Sequence, residues 1–215
     1  MTDFSARRIV MVDTQVRPSD VTKFPIIAAM LAVPREDYVP ITKREAAYMG
    51  GNLDLAPGRV MVEARTLAKM LEFMNIQPDD RVLDVACGLG YGTAVIAQLC
   101  GTVTGIDEDP GLAAAARAQL STSGVARAHV LHGGVEVVEA ETFDAIVIEG
   151  GVEEVGDNLL SLLSEGGRIA AIFMQGALGT VKVGTKNGDR ITWRFAFNAA
   201  APVLAAFAAK RVFTL

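Results

Sequence analysis

The residues best suited to chemistry lie between Asp84 and Asp107. Arg81 to Gly92 reads R-V-L-D-V-A-C-G-L-G-Y-G, and an acidic cluster, Asp107-Glu108-Asp109, begins fifteen residues past Gly92. Val82, Leu83 and Val85 suit a strand covered on both faces, while Gly88, Gly90 and Gly92 let backbone approach a ligand where a side chain would collide. A carboxylate at Asp107, ending a second strand, can accept both hydroxyls of a ribose in bidentate fashion. The first expectation is therefore a nucleotide-like ligand.

Which nucleotide-like ligand turns on Asp84. The dinucleotide fingerprint G-x-G-x-x-G fails in both registers: starting from Gly88 the third glycine is Thr93, and starting from Ala86 it is Tyr91. A pyrophosphate beside the Asp84 carboxylate would be repelled by roughly several kcal/mol at an effective dielectric near 20. S-adenosylmethionine has the opposite requirement, carrying a sulfonium, an ammonium, one carboxylate and no phosphate. An acidic, glycine-lined pocket favours it over a nicotinamide dinucleotide, which stays as the alternative.

The elements that must position these residues follow from periodicity. Leu67, Met70, Leu71 and Met74 recur at helical spacing over 63–74, and Ile26, Ile27, Met30 and Leu31 mark an earlier helix that Pro18-Ser19-Asp20 would cap. Residues 48–61 are rich in turn formers yet too apolar for a simple linker. After the glycine turn come a helix over 93–99, a strand over 102–106, a helix capped by Asp109, a third strand over 128–131, a fourth over 143–149, a helix over 157–163 and a fifth strand over 168–173. Asn187-Gly188 between alternating runs predicts a hairpin, and Val212-Phe213 is a candidate last strand. The expectation is one α/β domain over 1–215: a doubly wound, mostly parallel seven-stranded sheet ending in an antiparallel hairpin, with a helical extension over 1–78 and a cofactor-binding core over 79–215.

Composition excludes several classes. Net charge is −5, and residues 81–150 set nine acids against Arg81, Arg117 and Arg127, too few cations for a nucleic-acid groove. Cys87 and Cys100 lack metal-ligating company, so neither a disulfide nor a metal is expected. The N-terminal M-T-D-F-S-A-R-R lacks the apolar region of a signal peptide, and no apolar run is long enough for a membrane span, which reads as a cytoplasmic protein.

V-L-D-V-A-C-G-L-G-Y-G, G-I-D-E, F-D-A-I-V-I and L-L-S-E-G-G-R-I resemble the successive motifs of class I methyltransferases, a Rossmann-like fold. Q-V-R-P-S-D at 15–20, V-P-R-E-D-Y-V-P at 33–40, A-Y-M-G-G-N-L at 47–53 and G-R-V-M-V-E-A at 58–64 narrow the likeness to the protein-L-isoaspartate O-methyltransferase family. That resemblance implies methylation of isoaspartyl carboxylates in aged proteins or peptides, for their repair. It implies that Asp84, Ala86, Cys87, Gly88, Gly90 and Tyr91 cradle the methionine part of the cofactor, with Asp107 and Glu108 at the ribose and Ile106, Gly133 and Gly134 by the adenine.

Three positions depart from the family. Ala86 replaces its first turn glycine, which is expected to need only an ordinary backbone conformation. His132-Gly133-Gly134 replaces Gly-Asp-Gly and removes an acid expected at the adenine amino group. Arg59-Val60-Met61-Val62 replaces Gln-Thr-Ile-Ser, whose hydroxyls help hold the substrate carboxylate, so the substrate site is the part in doubt. Another acceptor, a small molecule or a different protein group, and a silent cofactor-binding homologue are the alternatives.

Each sharp reading has a plainer one beside it. Arg59 is either a replacement anchor for a carboxylate or a solvated loop charge, the latter favoured. Met61 and Val62 form either an apolar lid or ordinary packing. His129 and His132 read as surface or packing residues, Cys87 as a backbone-contacting turn residue rather than a redox group, and Glu63 as an acid at a helix start. Glu149, after the fourth strand, is expected to face the cofactor or to pack, with no preference. No catalytic residue is assigned.

Overall fold

The computed structural model describes residues 3–138 and 140–209. Its main sheet has seven strands in the order β5-β4-β3-β6-β7-β8-β9, formed by β3 (Arg81–Val85), β4 (Thr102–Asp107), β5 (Ala128–His132), β6 (Phe143–Val152), β7 (Leu163–Gln175), β8 (Leu178–Asn187) and β9 (Arg190–Asn198). Strands β3 to β7 pair in parallel, and β8 runs against both its neighbours. Chain order reverses between β3 and β6, which opens a crevice at the carboxyl ends of these strands. This is the doubly wound sheet expected from sequence, and the Asn187-Gly188 hairpin is where the turn chemistry places it, with Gly188 at φ +59°. A second hairpin, turning at Gly176 (φ +60°) between β7 and β8, was not expected.

Alternation along the strands builds two cores. Val82, Val103, Ala145 and Val147 face one side, under α3 (Ala64–Met74), α4 (Tyr91–Ile96) and α5 (Pro110–Thr122). Leu83, Val85, Ile106, Ile146 and Ile148 face the other, with Leu159 of α6 (Asp157–Leu160), Leu204 and Phe207. Asp84 shares the parity of Val82, so its carboxyl is carried into the first core beneath α4.

The extension comprises α1 (Phe4–Met11), a π-turn over Val12–Val16, a 3-10 turn over Arg17–Ser19 and α2 (Phe24–Ala32). Pro18-Ser19-Asp20 does not cap α2, because Asp20 adopts φ 63° and ends the first helical segment instead. The chain entering α2 is held by α3: Glu72 accepts the amides of Thr22 and Lys23 at 3.3 and 3.1 Å. A two-stranded hairpin, β1 (Leu53–Ala56) and β2 (Arg59–Met61), then folds over the glycine turn, and Leu55 lies 2.7 Å from where a Gly88 Cβ would stand. The helix expected over 157–163 stops at Leu160, since Leu163 pairs with Phe143 and belongs to β7. Val212 and Phe213 lie outside the described residues.

No helix among the described residues is long and apolar enough to cross a membrane.

Candidate functional site

The glycine turn is built by hydrogen bonds that pin it to β4. The amides of Ala86 and Cys87 both donate to Ile106 O, at 2.9 and 3.2 Å, and Gly90 (φ +88°) forms the N-cap of α4. This geometry puts Ala86 at φ +61°. The expectation of an ordinary backbone there is overturned: the position needs the left-handed conformation that glycine adopts freely and alanine adopts under strain.

Asp107 is the junction of the crevice. Its buried carboxylate accepts Gly88 N at 2.8 Å and Asp109 N at 3.0 Å, while Asp109 itself caps α5 by accepting the amides of Gly111 and Leu112. The remaining acceptor positions are taken by Arg59, whose Nη1 and Nη2 lie 2.7 and 2.5 Å from Oδ1 and Oδ2. The favoured reading of Arg59 as a solvated loop charge is wrong. Its side chain is 15% exposed; burial works against the guanidinium charge, and the paired Asp107 carboxylate raises its pKa above the ordinary arginine value.

A cavity of about 290 Å³ opens beside this ion pair. Of the residues proposed from sequence, it is lined by Arg59, Ala86, Ile106, Glu108, Gly133 and Gly134. Glu136, Leu204 and Phe207 are among the other lining residues and had no sequence signal. Glu136 accepts the amide of Gly134 at 2.7 Å, which brings a carboxylate to the turn where the family acid is missing. Leu204 and Phe207 come from the segment after β9, held to β6 by Gly151 N to Pro202 O and Leu204 N to Gly151 O.

Asp84, Cys87, Gly88, Gly90, Tyr91, Asp107 and Glu149 do not line that cavity; Asp84, Cys87, Tyr91 and Glu149 are buried behind the glycine turn. Thr93 donates to Asp84 Oδ2 at 2.6 Å, and Asp84 and Glu149 face each other as a buried acid pair that a shared proton bridges. Glu149 fits only because residue 92 is glycine, since a Cβ there would stand 1.6 Å from its Oε1. Burial pushes the Asp84 carboxyl up to about 7 against the Thr93 hydrogen bond, and burial with the Asp84 charge pushes Glu149 well above the carboxylate range. Burial also raises the Cys87 thiol, which leaves it an inert packing group.

Arg35 is the residue that sequence reasoning missed. It is 1% exposed, donates to Ala47 O and Val62 O at 2.8 Å each, and stacks its guanidinium 4.6 Å from the Tyr91 ring centroid. Burial raises the Tyr91 phenol pKa, and its charge contact and hydrogen bond with Arg35 work against that rise. The available signal was an arginine inside the V-P-R-E-D-Y-V-P run, whose Val33, Tyr38 and Val39 are buried. Val60, Met61 and Val62 belong to the core, so of the four substrate-loop residues only Arg59 reaches the cavity. His129 and His132 are exposed on β5.

Two outcomes follow from this geometry. Ala86→Gly relieves the left-handed strain and should raise unfolding stability by about 1 kcal/mol in urea titration; a loss of stability would show that the turn is unstrained. The native chain binds more protons than the unfolded one between the Asp84 reference value of 3.8 and its folded value of about 7, so stability falls as pH rises through that window. Glu149→Gln removes one of the two raised acids, and the drop in urea midpoint from pH 5 to pH 8 should shrink; an unchanged drop would mean that the pair does not titrate in the fold.

The family model described as protein-L-isoaspartate(D-aspartate) O-methyltransferase (PCMT) matches residues 10–194. A protein-L-isoaspartate O-methyltransferase of Opitutus terrae is 37% identical over 161 residues, covering 74% of this chain and 69% of that protein. One of Methylorubrum populi is 35% identical over 170 residues and 79% of each. Among solved structures, a candidate protein-L-isoaspartate O-methyltransferase from Plasmodium falciparum, in complex with S-adenosyl-L-homocysteine, superposes with a TM-score of 0.78 at 18% identity, over 95% of this chain and 99% of that one. A second, named protein-L-isoaspartate O-methyltransferase, gives 0.77 at 17% identity over 94% of this chain and 66% of its own. These two carry the fold alone, while the family match and the curated relatives carry membership: this chain belongs to the protein-L-isoaspartate(D-aspartate) O-methyltransferase family.

Proposed function

We propose that this chain is an S-adenosylmethionine-dependent methyltransferase acting on the carboxylate of isoaspartyl residues in proteins or peptides. The observation that carries the reading is the crevice at the carboxyl ends of β3, β4 and β5, with Asp107 buried behind its Arg59 wall, in a chain matched by the family over residues 10–194.

The residues present fit the cofactor. The groups behind the turn, the buried Asp84–Glu149 acid pair and the Arg35 guanidinium held against Tyr91, suit the ammonium and carboxylate ends of an amino acid. Ile106, Leu204 and Phe207 give the cavity apolar walls for a purine, with Glu136 beside Gly134 as an acceptor for its amino group. Asp107 would hold the ribose. When bound, S-adenosylmethionine supplies an electrophilic methyl group.

The acceptor carboxylate is already ionised near pH 7, so this chain needs no general base. Its residues align the acceptor and exclude water, which the β1-β2 hairpin over the glycine turn is positioned to do. Buried, free Cys87 and Cys100 suit a reducing compartment, and we place the protein in the cytoplasm. A second reading, the same cofactor with a different acceptor, is favoured by Val60 and Val62, which offer no hydroxyl and are buried.

Calorimetric titration with S-adenosylhomocysteine tests the cofactor, and absence of binding at millimolar ligand would refute it. Asp107→Ala should weaken that binding by about tenfold or more, as expected for lost hydrogen bonds to a charged group; an unchanged dissociation constant would remove Asp107 from the ribose. Incubation with methyl-labelled cofactor and an isoaspartyl peptide should yield base-labile, volatile label. Cofactor binding without transfer would select the second reading or a silent homologue.

A further inference from the structure

We propose that Arg59 exchanges partners: it competes with the ribose diol for Asp107 and, once displaced, pairs with the carboxylate of the methyl acceptor. The proposal deepens the function given above and rests on its cofactor and acceptor.

The competition follows from counting acceptor positions. An ionised carboxylate offers about four lone-pair sites. On Asp107, Oδ1 takes Arg59 Nη1 and Asp109 N, and Oδ2 takes Arg59 Nη2 and Gly88 N. The two amides are fixed by the fold, one in the glycine turn and one at the cap of α5. A diol can therefore be accepted only at the two positions that Arg59 holds.

Arg59 is also the partner best able to leave. It sits on the three-residue strand β2, in a hairpin separate from the main sheet. The neighbouring turn residue, Gly58 (φ +70°), is open to its surroundings, since a Cβ there would meet no atom within 4 Å. The destination of Arg59 follows from its charge. It lines the cavity, and its Nε is already buried without a partner. A displaced guanidinium left unpaired there carries a large desolvation cost, so it seeks an anion, and the acceptor must outcompete Glu108 and Glu136 on the same wall for it. The anion that the proposed reaction brings into the crevice is a carboxylate, whose geometry matches the guanidinium fork. This supplies the recognition lost with hydroxyls at positions 60 and 62, and it couples acceptor binding to cofactor loading.

The test uses the full chain as wild type, Arg59→Gln and Arg59→Ala. Each is titrated calorimetrically with S-adenosylhomocysteine and then, saturated with it, with an isoaspartyl peptide. Both variants should bind S-adenosylhomocysteine about tenfold tighter and the peptide about tenfold more weakly, within the usual range of coupling between sites. A purely structural role would move both affinities in the same direction. Arg59→Gln keeps a neutral donor for Asp107 and retains the fold if Arg59→Ala does not. Unchanged or weakened S-adenosylhomocysteine binding in Arg59→Gln overturns the competition. Tightened binding with unchanged peptide affinity, or a wild type that binds S-adenosylhomocysteine and no peptide, overturns the acceptor pairing. A wild type that binds no S-adenosylhomocysteine overturns the cofactor reading itself, and the exchange with it.

Discussion

A buried carboxylate at the end of β4 must have its charge and lone pairs satisfied, and in this protein that requirement ties the site together. Asp107 joins the glycine turn through Gly88, the start of α5 through Asp109 and the β1-β2 hairpin through Arg59. None of these segments contacts the others through the main sheet ladder alone. The isolated charge would be prohibitively costly to bury, so the donors that converge on it fix their segments as much as they stabilise it. The hairpin is thus held over the crevice by the same group that is proposed to recognise the ribose.

Behind the turn the balance is different. Asp84 and Glu149 share a buried space, and Gly92 provides the room for the second acid. Two buried acids beside a buried arginine are unfavourable for folding by themselves, and Ala86 adds backbone strain on the same turn. Such concentrations of buried ionisable groups mark functional sites, where stability is given up for recognition. The groups present, an acid pair whose ionisation burial disfavours and one cation, would be complemented by an α-amino-acid end, whose ammonium favours the ionised acids.

Much of this was legible from residue types and spacing. The strand-turn-helix at 81–92, Asp107 at the second strand end and the Asn187-Gly188 hairpin depend on local rules, and they stand where those rules put them. What was not legible depends on long-range contact. Arg59 and Asp107 are 48 residues apart, and only the folded hairpin shows that the arginine is spoken for. The left-handed backbone of Ala86 is imposed by two amides reaching Ile106 O, a constraint from another strand. Leu204 and Phe207 reach the site through tertiary packing with no period or motif to mark them, and the motif around Arg35 does not show that its side chain is buried against Tyr91. Pro18-Ser19-Asp20 carries a sound capping signal, but Glu72 of α3 holds the entry to α2 instead.

The most direct measurement is a crystal structure of the protein with S-adenosylhomocysteine. The account predicts both ribose hydroxyls on Asp107, with Gly88 N and Asp109 N retained and the Arg59 guanidinium moved off that carboxylate. An Arg59 still bidentate on Asp107, with the ligand bound elsewhere, would contradict it.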